Sequence, residues 1–347
     1  MTLTMKPSEC RTALVKLIAA KLPVLLVGAP GGGKTSLVNW ACEKAGADLL
    51  TAFPVTSDPT DFKGLPALVT GKNGRSLAEF LPYGDLRLLL EAKKPTVYFL
   101  DDLGQAPPAV QAAAMQLILA RRIGREQISD EVRFIAASNR KEDRAGVSGI
   151  LEPVKSRFAT IMHLTHDVTD WTRDFAVPAK LPIELIAFCN MKPNETLGGF
   201  QASAEMRNSP CPRTIEHLGK LYALGFNKPS DLAILAGAVG EGCAADFLGF
   251  AELFRTLPNP QLLLKDPSTF DPSKLQDKPA LYYALAAILA QQVTLGTMSA
   301  FGQLCDLMPG DYRALMMIIA VSRAPELRKT ASYIAWAAAH GDTMLGN

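Results

Sequence analysis

Residues 28–36, Gly28-Ala29-Pro30-Gly31-Gly32-Gly33-Lys34-Thr35-Ser36 (GAPGGGKTS), decide how the rest of the chain is read. A short apolar run, Pro23 to Val27, precedes them and predicts a buried strand. Leu37 to Cys42 follow and predict the first turns of a helix. Strand, glycine-rich turn and helix are the context that G-x-x-x-x-G-K-[ST] needs, and Gly28 to Thr35 fit that pattern. Glycines at 31, 32 and 33 let backbone N–H groups turn onto phosphate oxygens with no Cβ in the way. The helix N-terminus behind them adds partial positive charge. Lys34 would set an ammonium between the β- and γ-phosphates, and the Thr35 hydroxyl would ligate Mg²⁺. The stretch predicts a nucleoside-triphosphate site bounded by Gly28, Pro30, Gly31, Gly32, Gly33, Lys34, Thr35 and Ser36.

Downstream, Thr96 to Leu100 form an apolar strand ending in Asp101-Asp102, 67 residues after Lys34. Behind a P-loop this is the Walker B pattern: Asp101 holds Mg²⁺ and Asp102 orients the attacking water. Val132 to Ser138 predict another strand, running into Asn139. An amide there can hold the lytic water or the γ-phosphate; the alternative is a turn asparagine capping the next segment.

Around these lie a helix over 8–21 with Ser8 as its cap and a strand over Leu49–Val55. A β-hairpin over 66–80 turning at Asn73-Gly74 and a helix over 85–93 come next. A helix begins at Pro107-Pro108, a second hairpin spans Arg125–Glu131, and a fifth strand spans Thr160–Leu164. From Asp170 the patterns are helical, with one run over Asp231–Leu253, a proline-rich stretch over 256–279 and a last helical segment to about 338. His163 and His166 lie near each other with no acid or cysteine cluster, so they read as ordinary histidines.

Composition narrows the class. The chain has 347 residues, 48% hydrophobic and 20% charged, enough for two or three domains with real cores. A net charge of +2 gives no electrostatic footprint for nucleic acid or membrane. The six cysteines (10, 42, 189, 211, 243, 305) follow no metal spacing and are expected to be reduced core thiols of a cytoplasmic protein.

Taken in order, GAPGGGKTS (28–36), VYFLDD (97–102), Asn139 in FIAASN, SRF (156–158) and PRTIEHL (212–218) resemble the AAA+ ATPases, within them the MoxR-like, dynein-related branch. SDPTDFKGLP (57–66), GQAPPAVQA (104–112) and NRKEDR (139–144) resemble the subgroup often encoded beside a von Willebrand A-like partner. The resemblance implies a P-loop α/β fold: an αβα core with a five-stranded parallel sheet over 1–168, a helical lid over 169–255, and a linker with a helical C-terminal region over 256–347. It implies a homo-oligomeric ring, usually a hexamer, that hydrolyses ATP with Mg²⁺. Asn139 becomes sensor 1, Arg213 sensor 2 and Arg157 the arginine finger acting on a neighbouring subunit, with Lys155, Arg140 and Arg144 as rivals for that last role. The hairpin at 66–80 matches the branch's helix-2 insertion. The expected activity is protein remodelling or maturation through a von Willebrand A-like adaptor. The alternatives are a nucleic-acid motor, possibly GTP-using, or a nucleotide-locked scaffold. One departure stands out, because the family usually has Asp-Glu where this chain has Asp101-Asp102. One methylene less leaves the second carboxylate ~1.5 Å short.

Overall fold

A computed structural model describes residues 3–70, 75–143, 149–203, 205–275 and 278–340. The chain divides into two compact units, residues 1–165 and 166–347.

The first unit is built on a five-stranded sheet. Among the described residues the strands of this unit, in chain order, are β1 (Val24–Val27), β2 (Asp48–Ala52), β3 (Leu65–Thr70), β4 (Ser76–Leu81), β5 (Thr96–Leu100), β6 (Arg122–Ile123), β7 (Glu126–Gln127), β8 (Val132–Ser138) and β9 (Thr160–His163). The large sheet has the order β2-β5-β8-β1-β9, with every pairing parallel. Parallel strands need both faces covered, and the residues alternate accordingly. Val97 and Phe99 of β5 join Val24, Leu26 and the helices α1 (Pro7–Ala19) and α2 (Lys34–Ala45) in one core. Tyr98 and Leu100 face the other way, into a core with Leu25, Phe134 and the helix α3 (Pro108–Ala120). These layers make a P-loop αβα fold. Arg133 is buried on β8, where its Nε donates to the Ile18 carbonyl at the end of α1 (3.3 Å) and Nη1 pairs with Glu131 (3.1 Å).

Several boundaries differ from the sequence expectation. Lys6, not Ser8, caps α1: its extended backbone N–H donates to Glu9 Oε2 (2.8 Å), and Pro7 occupies the first helical position. β2 stops at Ala52, because Pro54 opens a 3₁₀ turn over 54–56. The second hairpin lies over 122–127 rather than 125–131, since Gly124, with φ of 57°, makes its turn. The first hairpin forms as β3–β4, Leu65 pairing with Leu81. Its expected turn at Asn73-Gly74 falls outside the described residues. On one face of that hairpin Pro66, Phe80, Leu68 and Ala78 share register positions, and Leu68 is 79% exposed.

The second unit is helical. It comprises α4 (Ile183–Met191), α5 (Pro212–Ala223), α6 (Leu232–Val239), α7 (Glu241–Leu253), α8 (Pro279–Gln292), α9 (Met298–Asp306), α10 (Gly310–Arg323) and α11 (Ala331–Ala339), with shorter helical turns between them. The expected single run over 231–253 is two helices, broken where Gly240 takes φ 83° and ψ 157°. Residues 256–279 are not free of the rest: Leu263, Leu264, Phe270 and Leu275 are buried in the same core as Phe188, Phe247 and Leu285. That one core runs from Trp171 to Trp336. No described helix is long and apolar enough to cross a membrane.

Candidate functional site

The site forms where the C-terminal ends of β1, β5 and β8 meet the start of α2. β1 ends at Val27, and Gly28 then passes close to Leu164, where a Cβ would make a tight contact of 3.2 Å with Leu164 Cβ. Gly31 and Gly33 take φ of 67° and 86°, the left-handed region where a Cβ is costly. Gly33 is the residue before α2, so the helix opens on Lys34 with its N–H groups facing the loop.

Lys34 is buried to 6% exposure. Its Nζ donates to the carbonyls of Gly28 (3.0 Å) and Ala29 (3.1 Å) and to Asn139 Oδ1 (2.6 Å). The Asn139 amide then donates to Asp102 Oδ1 (3.3 Å), and the Asp102 backbone N–H to Asp101 Oδ1 (3.0 Å). The other Asp101 oxygen accepts from the Thr35 hydroxyl (2.7 Å). Lys34, Asn139, Asp102, Asp101 and Thr35 are thus joined by one continuous run of hydrogen bonds. The backbone of Asp101 is pinned in turn, its N–H donating to Ala52 O (2.9 Å) on the neighbouring strand.

Asp102 has φ 57° and ψ 33°, a left-handed residue that is not glycine. Aspartate and asparagine tolerate that region better than longer side chains, which gives a local reason for Asp where the family usually has Glu. Just after it, Gly104 passes so close to β8 that a Cβ would sit 2.1 Å from Ser138 Oγ.

Thr35 and Asp101 fit a hard divalent cation. Each offers an oxygen, the two 2.7 Å apart, and a cation held there would draw its remaining ligands from water and phosphate. Among the described residues there is no cluster of three or more metal-ligating side chains, so a protein-only cage is not what this site offers. Pro30 is half-buried in the loop and Ser36 is exposed on the first turn of α2.

The other cations are placed differently. Arg140, next to Asn139, forms a bidentate pair with the buried Asp143 (3.0 and 2.7 Å), and that hydrogen bonding pushes its guanidinium above the ordinary value against the opposing effect of burial. Lys155 pairs with Glu152. Arg144 lies outside the described residues. Arg157 sits between the buried Val154 and Phe158; its Nε is enclosed without a hydrogen-bond partner, and no ion pair holds it among the described residues. Arg213 belongs to the second unit, where it is exposed on the first turn of α5. His166 meets Asn194 (3.2 Å), its ring against Gly198. Buried polar residues that escaped the sequence reading include Arg133, Asp143 and, fully buried on α3, Gln111. The signal was present, a glutamine in register with Ala114 and Ile118 on the apolar face of the helix.

Residues 23–158 match the AAA domain of the dynein-related subfamily. The match therefore runs from β1 to the segment bearing Arg157. Solved structures similar to the chain include a point variant of Thermotoga maritima RuvB (16% identity, 80% of this chain and 87% of that one, TM-score 0.44). Thermotoga maritima RuvB described as a Holliday junction branch migration motor matches at 18% identity over 81% of each chain, TM-score 0.42. Brucella abortus NtrX in complex with ADP matches at 15% identity over 98% of this chain and 68% of that one, TM-score 0.36. Likeness at this level says nothing of what this chain acts on. No curated protein matches it.

Proposed function

We propose that this protein is an ATPase that works as a homo-oligomeric ring, each nucleotide held by one subunit and triggered by Arg157 of the next. The observation that carries the reading is the continuous hydrogen-bonded run from Lys34 through Asn139, Asp102 and Asp101 to Thr35 beside a glycine loop. Backbone N–H groups of 31–34 and the Lys34 ammonium bind the β- and γ-phosphate oxygens. Thr35 and Asp101 would hold Mg²⁺, which would supply positive charge against those oxygens. Asp102 orients the attacking water, and Asn139, which touches both Lys34 and Asp102, holds the γ-phosphate end in line with it.

Arg157 is the favoured trans arginine because, among the described residues, its two rivals are engaged: Arg140 with Asp143 and Lys155 with Glu152. A cation at the γ-phosphate stabilises the charge that spreads in the transition state, worth about 10³–10⁵ in rate for GTPase fingers. Arg213, at the entrance of α5, takes the sensor 2 role.

The work done by such a ring, on this reading, is remodelling or maturation of a client protein through a von Willebrand A-like adaptor. What supports it is the flanking text at 57–66, 104–112 and 139–144 and the hairpin β3–β4 at the place of the helix-2 insertion. The net charge of +2 weighs against a nucleic-acid motor. The test is ATP cleavage by a mixture of Lys34→Ala and Arg157→Ala subunits, each inactive alone. Restored turnover is expected, whereas a lone protomer as fast as the assembly defeats the proposal. The Asp102→Asn form, loaded with ATP, is expected to retain the adaptor in a pull-down.

A further inference from the structure

We infer that Gln111 is a positioning residue that holds the segment carrying Arg157 in register with the loop carrying Asp101 and Asp102. The inference rests on the reading of Arg157 as the trans arginine and adds the means by which that arginine is aimed.

A primary amide buried to 0% exposure in an apolar helix face is costly unless every hydrogen bond is made. Gln111 makes three, all to backbone, and they join two stretches of chain far apart in sequence. Nε2 donates to Ala106 O (3.0 Å), in the loop that follows Asp101-Asp102. The same nitrogen donates to Gly149 O (3.0 Å), and Oε1 accepts from the Leu151 N–H (3.1 Å). Gly149 and Leu151 open the segment that enters the short helix Glu152–Lys155 and leads to Arg157.

Around this amide the contacts are short and stiff. Gly149 is left-handed (φ 94°), so its carbonyl is directed by a conformation few residues adopt. Ile150 approaches Gly104 closely enough that a Cβ there would meet its Cγ1 at 3.4 Å. Val154 and Phe158, either side of Arg157, are buried in the core that α3 supplies. The Gln111 amide thereby couples the hydrolytic carboxylates of one nucleotide site to the arginine that serves the next. An apolar side chain of the same shape would fill the space but leave the Gly149 carbonyl and the Leu151 N–H to find other partners. A displacement of about 1 Å at a reacting group costs roughly 10²-fold in rate.

A residue that acts through a trans arginine must show its effect in the subunit that donates the arginine. A residue that merely supports the fold shows it in both. The experiment places Gln111→Met, near in shape and unable to hydrogen-bond, in each half of the complementing pair. In the Lys34→Ala subunit, which serves only as arginine donor, it is expected to lower the restored ATP cleavage by about 10²-fold. In the Arg157→Ala subunit, which serves only to hold nucleotide, Asp101 and Asp102 keep their own anchors at Ala52, Thr35 and Asn139, so it is expected to leave the restored rate at that of the parent mixture. A loss confined to the nucleotide-holding subunit, or equal in both, overturns the assignment. Should the parent mixture itself restore nothing, the trans-arginine reading has failed, and the Gln111 assignment falls with it. If Gln111→Met does not fold, Leu151→Pro takes its place. It deletes the N–H that Oε1 accepts, at a partly exposed residue whose φ of −57° suits proline. It is expected to give a smaller loss, again only in the donor, and equal loss in both positions is again fatal.

Discussion

The two units bury very different things. In the first, Lys34, Asp101, Asn139, Asp143, Arg133 and Gln111 are all nearly inaccessible, and each is tied to named partners. In the second, the described buried polar residues are Asp170 and three threonines (172, 196 and 214), with no buried cation, and the long core from Trp171 to Trp336 has aromatic contacts such as Phe188–Phe247 (5.6 Å) and Tyr222–Phe247 (5.0 Å). The first unit spends its interior on positioning and the second on cohesion. Substitutions in the first should therefore move rates more than stability, and those in the second the reverse.

The largest effect belongs to the first unit. Arg157→Ala is expected to lower ATP turnover about 10³-fold or more while the unfolding midpoint holds. Asp102→Asn should abolish turnover and leave ATP binding intact; if it hydrolyses like the parent, another residue activates the water. Next comes the second unit, where Phe247→Ala should cost about 3–5 kcal/mol in chemical denaturation with no loss of nucleotide affinity. A parallel fall in affinity would erase the contrast. Gly104→Ala should cost about 1–3 kcal/mol and displace Asn139, because the new methyl overlaps Ser138. Adding Ser138→Gly should recover much of both losses. Asp102→Glu is expected to keep or raise turnover at about 1 kcal/mol of stability, the cost of a longer side chain in a left-handed backbone. The smallest effect is chemical: burial pushes the Cys42 thiol up to about 11, so it stays protonated, and the folded protein should resist iodoacetamide there near pH 8. Labelling of Cys42 before unfolding would show that α2 opens.

The contrast also explains what could be read in advance. β5 and β8 were legible to the residue, because each is an apolar run closed by an acid or an amide. The glycine loop was legible because its chemistry lives in the backbone. The break at Gly240 was hidden, since helical spacing continues on both sides and only the backbone torsion interrupts it. Gln111 was quoted within GQAPPAVQA yet gave no sign of its role, because all three of its partners are main-chain groups with no residue type to recognise. The left-handed turn at Asp102 leaves no mark in the sequence, which shows only the missing methylene.

The strand order has a consequence for how the protein is made. β1 lies between β8 and β9, and Val24 pairs with Ile135, 111 positions later in the chain. On the ribosome, β1 and the glycine loop that follows it therefore emerge long before either strand that flanks β1. A nascent chain halted short of Ser138 should have no grip on nucleotide, and ligand could assist its maturation only after the greater part of this unit had already been translated.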